Sequence, residues 1–326
     1  MGNETSKPAV NIIMPAYNAH KTIRQAIGSV VMQDDLDNIL LTIVDDCSDE
    51  PYDYLLDDFH YMNIEILHKP ENTGCGQSRQ YGIDHCRCKY FIFLDTDDCL
   101  YSPDTIKTMY TYMQTNGLDY LYTDFYEERN NNEYIQHQCD GNWMHGKMYS
   151  LRYIKKNNIR FFEQRIHEDH AFNSLVRATE GKNTYINLVT YIWRRNPTSL
   201  TRSCKHDFSY GTDNYLDVAI TLVEELKTRN VKTIYIEENI KAYMLNMYKY
   251  YNLALQYNVT NIVLKHYELK IAEFFKHIPL SCSISGLYND INKNVSNNDI
   301  IISMIEEDIP PIIGVKSFLE KFCDLI

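Results

Sequence analysis

The chain has 326 residues, 44% of them apolar, with 32 Lys and Arg against 44 Asp and Glu, and a formal net charge of −12 at pH 7. This length exceeds what a single core usually holds and suits a large catalytic domain with a smaller one beside it. The negative balance argues against a protein that grips a nucleic-acid backbone by bulk electrostatics, and no apolar run approaches the roughly 18 residues needed to span a bilayer. The N-terminal stretch Met1–Lys7 is polar and lacks the hydrophobic core of a signal peptide, so the expected location is cytoplasmic or peripheral at a membrane. The nine cysteines include no C-x-x-C pair. They read as reduced, structural thiols, and Cys86-Arg87-Cys88 has the wrong spacing for a zinc knuckle.

In chain order, short apolar runs alternate with helical patterns from Val10 to about Lys205, which predicts strand–helix units and a largely parallel sheet. Val10–Met14 is the first predicted strand, stopped by Pro15. Ile23, Ala26, Ile27, Val30 and Val31 then recur at helical spacing. Ile39–Val44 forms a second strand ending at Asp45-Asp46, and Ile64–Leu67 a third. A glycine loop, Asn72–Gly76, opens a helix carrying Gln77, Arg79 and Ile83. The run Tyr90-Phe91-Ile92-Phe93-Leu94 reads as a buried strand that hands over to Asp95-Thr96-Asp97-Asp98, before a helix beginning near Ser102-Pro103. In each case polar residues sit just past a strand's carboxyl end, where open α/β sheets build their ligand crevice. Beyond His206 the pattern changes to long periodic segments, Tyr215–Lys227, Ile240–Tyr257 and Asn261–Phe275. These predict a helical domain over residues 206–326 behind a catalytic domain over 1–205, with Asn289–Asn298 as a loop.

Carboxylates at a strand end suit Mg²⁺ or Mn²⁺ carrying a diphosphate, because hard oxygen ligands from both sides complete the shell. The competing reading is an acidic turn that caps the next helix. A nucleotide sugar needs a slot for the base, a hold on the ribose, a counter-charge and a base for the acceptor. Pro15-Ala16-Tyr17-Asn18 offers a ring to stack on a nucleobase, or a proline-initiated turn. Asp46 is an acceptor suited to the imide hydrogen of uracil, or a cap residue. Asn72 and Arg79 flank the glycine loop, where a guanidinium reaches a base carbonyl or phosphate.

The order and spacing of Val10–Asn18, Ile43–Asp49, Asn72–Gly82 and Tyr90–Asp98 resemble the inverting GT-A glycosyltransferases of family 2, with their P-x-Y-N, V-D-D-x-S, N-x-G-x-x-x-x-R and D-x-D motifs. The resemblance covers roughly the first 200 residues. It implies a Rossmann-like α/β fold with a mostly parallel sheet and flanking helices, followed by a smaller helical domain. It further implies that Pro15, Ala16, Tyr17, Asn18, Asp46, Asn72, Arg79 and Thr96 line the nucleotide pocket, that Asp95 holds the ribose, and that Asp97 ligates Mn²⁺ or Mg²⁺. One departure is Gln80-Tyr81-Gly82, where the family usually shows Asn before the small residue.

Gly146–Tyr149, Arg152, Asn158–Phe161 and His167-Glu168-Asp169 resemble the family's acceptor-side stretch. That similarity makes Asp169 the catalytic base, with Glu168 orienting the site. From the residues alone, adjacent carboxylates beside His167 and His170 repel one another and raise a pKa, as a general base requires. The alternative is a solvated acidic start to a helix Ala171–Ala178. Tyr191–Thr201 resembles the family's closing segment, which assigns the diphosphate to Arg194, Arg195 and Ser199, unless this is a basic interdomain linker. His206 is left without a role.

The reading is therefore a metal-dependent inverting transferase that moves a sugar from a nucleotide sugar, a UDP-sugar first, to a hydroxyl of a glycan, polymer or protein. A non-catalytic nucleotide-sugar-binding protein is the alternative. A pyrophosphorylase-like enzyme is disfavoured because Pro15–His20 is not a glycine- and Arg/Lys-rich loop. The donor-sugar pocket is expected around Asp124 and Trp143–His145, and the helical domain is open to acceptor binding, homo-oligomerisation or docking on a membrane complex.

Overall fold

Val10 to Ala16 is wholly buried, and a strand buried on both faces reads as a continuous apolar run because helices cover each side. The structure, a computed structural model, describes residues 7–129, 133–139, 143–196, 208–279, 286, 288–289 and 312–323. The strand is β1 (Val10–Ala16). It pairs in parallel with β2 (Ile39–Asp45) on one side and with β4 (Tyr90–Phe93) on the other, and β2 pairs with β3 (Asn63–His68). Pro15 does not stop β1. The pairing with β4 ends at Ile13, so the ring sits where one neighbour has already left and its missing N–H is not needed there.

Four further strands and the short β5 (Cys99–Leu100) extend this sheet: β6 (Tyr120–Glu128), β7 (Tyr134–His137), β8 (Lys147–Ser150) and β9 (Asn183–Trp193). The order is β3-β2-β1-β4-β8-β6-β9-β5, with β7 paired to β6. The expected parallel pairing holds through β3-β2-β1-β4. Beyond it the sheet is mixed, because β8 runs antiparallel to both β4 and β6, and β7 antiparallel to β6. Only residues 129–133 separate β6 from β7, too few for the crossover that parallel neighbours require.

Helices α1 (Ile23–Val31), α2 (Tyr54–Asp58), α3 (Cys75–His85), α4 (Thr105–Asn116), α5 (Leu151–Lys156) and α6 (Glu168–Ala178) complete this unit. The apolar stripe of α1, Ile23, Ala26, Ile27 and Val30, is buried as its spacing predicts. Helix α3 lies close on β1: a methyl group added to Gly82 would stand 2.4 Å from Ile13 Cγ2, so the small residue there sets the approach.

The chain divides into two compact units, Met1–Asn196 and Pro197–Ile326, where the sequence places the break after residue 205. In the second unit, α7 (Phe208–Thr228), α8 (Thr233–Gln256), α9 (Asn261–Lys276) and α10 (Val315–Cys323) pack around Tyr243, Met244, Phe274, Phe318 and Phe322. Lys321 and Glu268 meet at the Tyr251 hydroxyl, which donates to Glu268 at 2.7 Å. The predicted loop at Asn289–Asn298 lies, apart from Asn289, outside the described residues. Among the described residues no helix is long and apolar enough to cross a membrane.

Candidate active site

The carboxyl ends of β1, β2 and β4 bring the expected nucleotide residues to one edge of the sheet. After the buried Pro15 and Ala16, Tyr17 is 52% exposed. Asn18, at a φ of 48°, exchanges hydrogen bonds with Asp49 through its side chain and donates its N–H to the Ser48 hydroxyl oxygen, so the ends of β1 and β2 are stitched together. Asp46 is buried and accepts from Lys69 Nζ at 2.5 Å and from the N–H groups of Thr73 (3.1 Å) and Gly74 (2.8 Å). These bonds use the carboxylate to hold the glycine loop, which the turn-or-base alternatives read from sequence did not include. Lys69 also reaches Thr73 and Ser78. It was missed in the sequence, although it follows the third strand as the other site residues follow theirs.

Arg79 is the centre of the arrangement. Its buried guanidinium donates to Asp95 Oδ1 at 2.7 Å and to Glu168 Oε1 at 3.1 Å, and its carbon lies 5.8 Å from the centroid of Phe93. One cation thus joins the acidic turn after β4 to the start of α6, residues far apart in the chain. Two structural details admit this. A methyl group on Gly76 would fall 2.4 Å from Glu168 Cγ, so only glycine leaves room for that side chain. The segment before α6 is tied over α3, because Gln80 Oε1 accepts from Phe161 N–H and Gln77 donates to Phe162 O. The departure at Gln80 therefore has a positional use. Arg165 in turn holds Asn72 through its side-chain and backbone oxygens at 3.1 and 2.8 Å.

Helix α6 starts at Glu168, three residues earlier than the sequence predicts, with His167 as its N-cap in the left-handed region at a φ of 64°. Glu168 is 7% exposed, so the solvated acidic helix start does not describe it. Burial, reinforced by the neighbouring Asp169 and opposed by Arg79, pushes its carboxyl up to about 8. Burial raises Asp169 as well, and its Oδ1 accepts the His170 N–H at 2.7 Å. His167 is driven down to about 3 by burial, with His170 adding to the effect.

The Asp95–Asp98 turn is closed from β9. Tyr191 donates to Asp98 at 2.6 Å and accepts from Asp95 N–H, Arg194 N–H donates to Asp98 at 2.8 Å, and Asn196 Nδ2 donates to Asp97 Oδ2 at 2.8 Å. Thr96 lies half-buried in the same turn. Burial raises the Asp98 carboxyl well above its ordinary range, helped by Asp97 and Asp95. Arg194 joins this turn through its backbone, while its guanidinium lies 3.6 Å from Glu128, whose carboxylate also accepts the Arg195 N–H. Ser199 and His206 lie outside the described residues. Beneath the turn, Asp95, Asp98 and His145 each bring one ligand atom within 4.8 Å of the others. Hard oxygens with one imidazole fit a divalent cation. Asp124, expected near the donor sugar, is buried and accepts from Gln136, Tyr185 and Cys139 N–H.

An α/β sheet whose carboxyl edge gathers acidic residues, followed by a helical unit, is the GT-A class of glycosyltransferase architecture. The profile of Glycosyl transferase family 2 matches residues 11–179, just over half the chain, and the chain belongs to that family. It is similar to Glycosyltransferase GlyG of Streptococcus pneumoniae, 23% identical over 232 residues that cover 63% of this chain and 76% of the relative. The Bacillus subtilis Minor teichoic acid biosynthesis protein GgaB is 24% identical over 247 residues, covering 68% of this chain and 27% of that longer protein. Among solved structures, S. aureus TarS 1–349 in complex with UDP-GlcNAc superposes with a TM-score of 0.72 at 15% identity, covering 94% of this chain and 99% of that one. The complex of the same protein with UDP gives 0.71 at 14% identity, covering 97% and 88%. At these identities the structural likeness is one of fold.

Proposed function

We propose that this glycosyltransferase moves a sugar from a UDP-sugar to a hydroxyl of a cell-wall-type glycan or polymer, with inversion at the anomeric carbon. The observation that carries this is the Asp95–Arg79–Glu168 bridge, which links the residue expected on the ribose side to the start of the helix expected on the acceptor side. The relative named for minor teichoic acid biosynthesis supports the acceptor class, and the TarS complexes with UDP and UDP-GlcNAc support the donor class.

In this reading Tyr17 stacks on the base, and the loop fixed by Asp46, Lys69 and Arg165 shapes the uridine slot. Asp95, held by Arg79, takes the ribose. Asp169 removes the proton from the acceptor hydroxyl as that oxygen bonds to the anomeric carbon and the bond to the diphosphate oxygen breaks on the opposite face. Its raised pKa brings it nearer the working pH, where a general base is most effective. Glu168 positions Arg79. Asp97, in the same acidic turn, would hold a divalent cation, which when bound supplies Lewis-acid neutralisation of the departing diphosphate. Arg195 and Ser199 are assigned to the diphosphate with Arg194.

Turnover of a UDP-sugar panel with and without EDTA tests the scheme. Loss of activity on chelation, restored by Mn²⁺ or Mg²⁺, is expected. Activity indifferent to chelation removes the cation, and no turnover of any UDP-sugar removes the donor class.

A further inference from the structure

His145 is 6% exposed and is enclosed by rings: Tyr191 stacks at 4.6 Å, Trp143 at 5.8 Å and 7°, and Trp193 lies at 5.6 Å. Buried imidazoles ordinarily settle at least one nitrogen in a hydrogen bond. Here Nδ1 has no partner among the described residues, and Nε2 stands 3.8 Å from Asp98 Oδ2, beyond hydrogen-bond range. That spacing has another chemical meaning. Two ligands each about 2.1 Å from one ion lie roughly 3.0–4.2 Å apart as their angle opens from 90° to 180°. Asp98 keeps capacity for this role, since the Tyr191 hydroxyl and Arg194 N–H occupy two of a carboxylate's roughly four acceptor positions.

We infer that Asp95, Asp98 and His145 hold a divalent cation on the buried side of the acidic turn, His145 through Nε2, and that this nitrogen makes the site favour Mn²⁺ over Mg²⁺. Mg²⁺ demands oxygen ligands and gives up its water reluctantly, whereas imidazole binds first-row transition ions readily. The packed rings fix the imidazole plane, so the nitrogen is already oriented when the ion arrives. The inference rests on the cation in the function proposed above and names its buried ligands.

The chain's two tryptophans, Trp143 and Trp193, both lie against His145, which supplies a readout that needs no turnover. Paramagnetic Mn²⁺, titrated into the full chain without nucleotide, is expected to quench tryptophan fluorescence saturably, with Mg²⁺ displacing it only at tenfold or greater excess. His145→Gln and Asp98→Asn should each raise the Mn²⁺ midpoint at least tenfold. Pulsed electron paramagnetic resonance of the Mn²⁺-loaded unmodified chain should show coupling to a histidine nitrogen, lost in His145→Gln. This measurement on the unmodified chain stands even where a variant fails to fold. Unchanged Mn²⁺ binding in His145→Gln, or no nitrogen coupling in the unmodified chain, overturns the inference. Asp97→Asn separates it from the proposal above: binding lost there but kept in His145→Gln leaves Asp97 as ligand and removes His145, and the reverse pattern does the opposite. A chain that binds no Mn²⁺ removes both.

Discussion

At the scale of single residues, the site depends on how one guanidinium is shared. A buried cation between two carboxylates is costly to break from either side, because the remaining charge is left unpaired. Gly76 is the most direct test. In Gly76→Ala the new methyl group collides with Glu168, and we expect a loss of about 1–3 kcal/mol in stability, as in other overpacked cores, with at least a tenfold fall in kcat/KM. Thermal denaturation and steady-state kinetics measure the two effects; ordinary activity in the Gly76→Ala variant would mean that Glu168 is not needed where it lies. The adjacent carboxylates should also separate. Asp169→Asn is expected to lower kcat by roughly 10²–10⁴-fold, the usual share of general-base catalysis. Glu168→Gln keeps an acceptor for Arg79 and should cost much less. Motif spacing singles out Arg79 and Asp169 in the sequence, and the structure adds the partners of Arg79. Lys69 and Arg165 were not legible there, because their roles exist only through contacts with Asp46 and Asn72.

At the scale of elements, the start of α6 gathers three titrating groups in one turn, and their pH effects have opposite signs. His167 is held at about 3 against an ordinary 6.5. On acidification the unfolded chain therefore takes the proton first, and the stability present above pH 6.5 is lost as the pH falls toward 3. A positive charge at a helix N-terminus would add to the penalty. Asn tolerates the left-handed backbone and caps helices well. His167→Asn should therefore gain about 2 kcal/mol on the parent chain between pH 7.5 and pH 5, measured by urea unfolding at each pH. Glu168, raised to about 8, behaves the other way: its contribution is fully present below about 4.5 and is lost as pH rises through 8. The comparison at position 167 cancels it. In kinetics, the acid limb of kcat/KM should lie above the ordinary carboxylate range and belong to the Glu168–Asp169 pair, and Glu168→Gln should move it down. A limb at the ordinary value in both chains would detach Asp169 from the chemistry. The early helix start escaped the sequence reading because a short polar run of His, Glu and Asp carries no apolar period, and what fixes it there is Arg79, 89 residues away.

At the scale of the whole molecule, the nucleotide half of the sheet was legible because its strands are continuous apolar runs ended by polar turns. The half built from β6, β7 and β8 was less so: β7 is largely exposed and lacks such a run, so only its pairing with β6 defines it. The helical unit could be counted from its periodicity, though its use could not. Both tryptophans belong to the first unit, so their fluorescence follows that unit as it melts. UDP with Mn²⁺ at about 100 times its Kd should add about 2.7 kcal/mol, a rise of about 5–10 °C for a unit of roughly 200 residues. A tryptophan-detected melt that no uridine nucleotide moves would remove the donor assignment.

The shared guanidinium also bears on inheritance. A stretch transplanted from another member of the family to alter which molecule receives the sugar would have to arrive with a glutamate at position 168, and its host would have to keep a glycine at 76. On the roles proposed above, a hybrid that carries the glutamate without the glycine should lose the seat of the Arg79 bridge and turn over more slowly than one that keeps both.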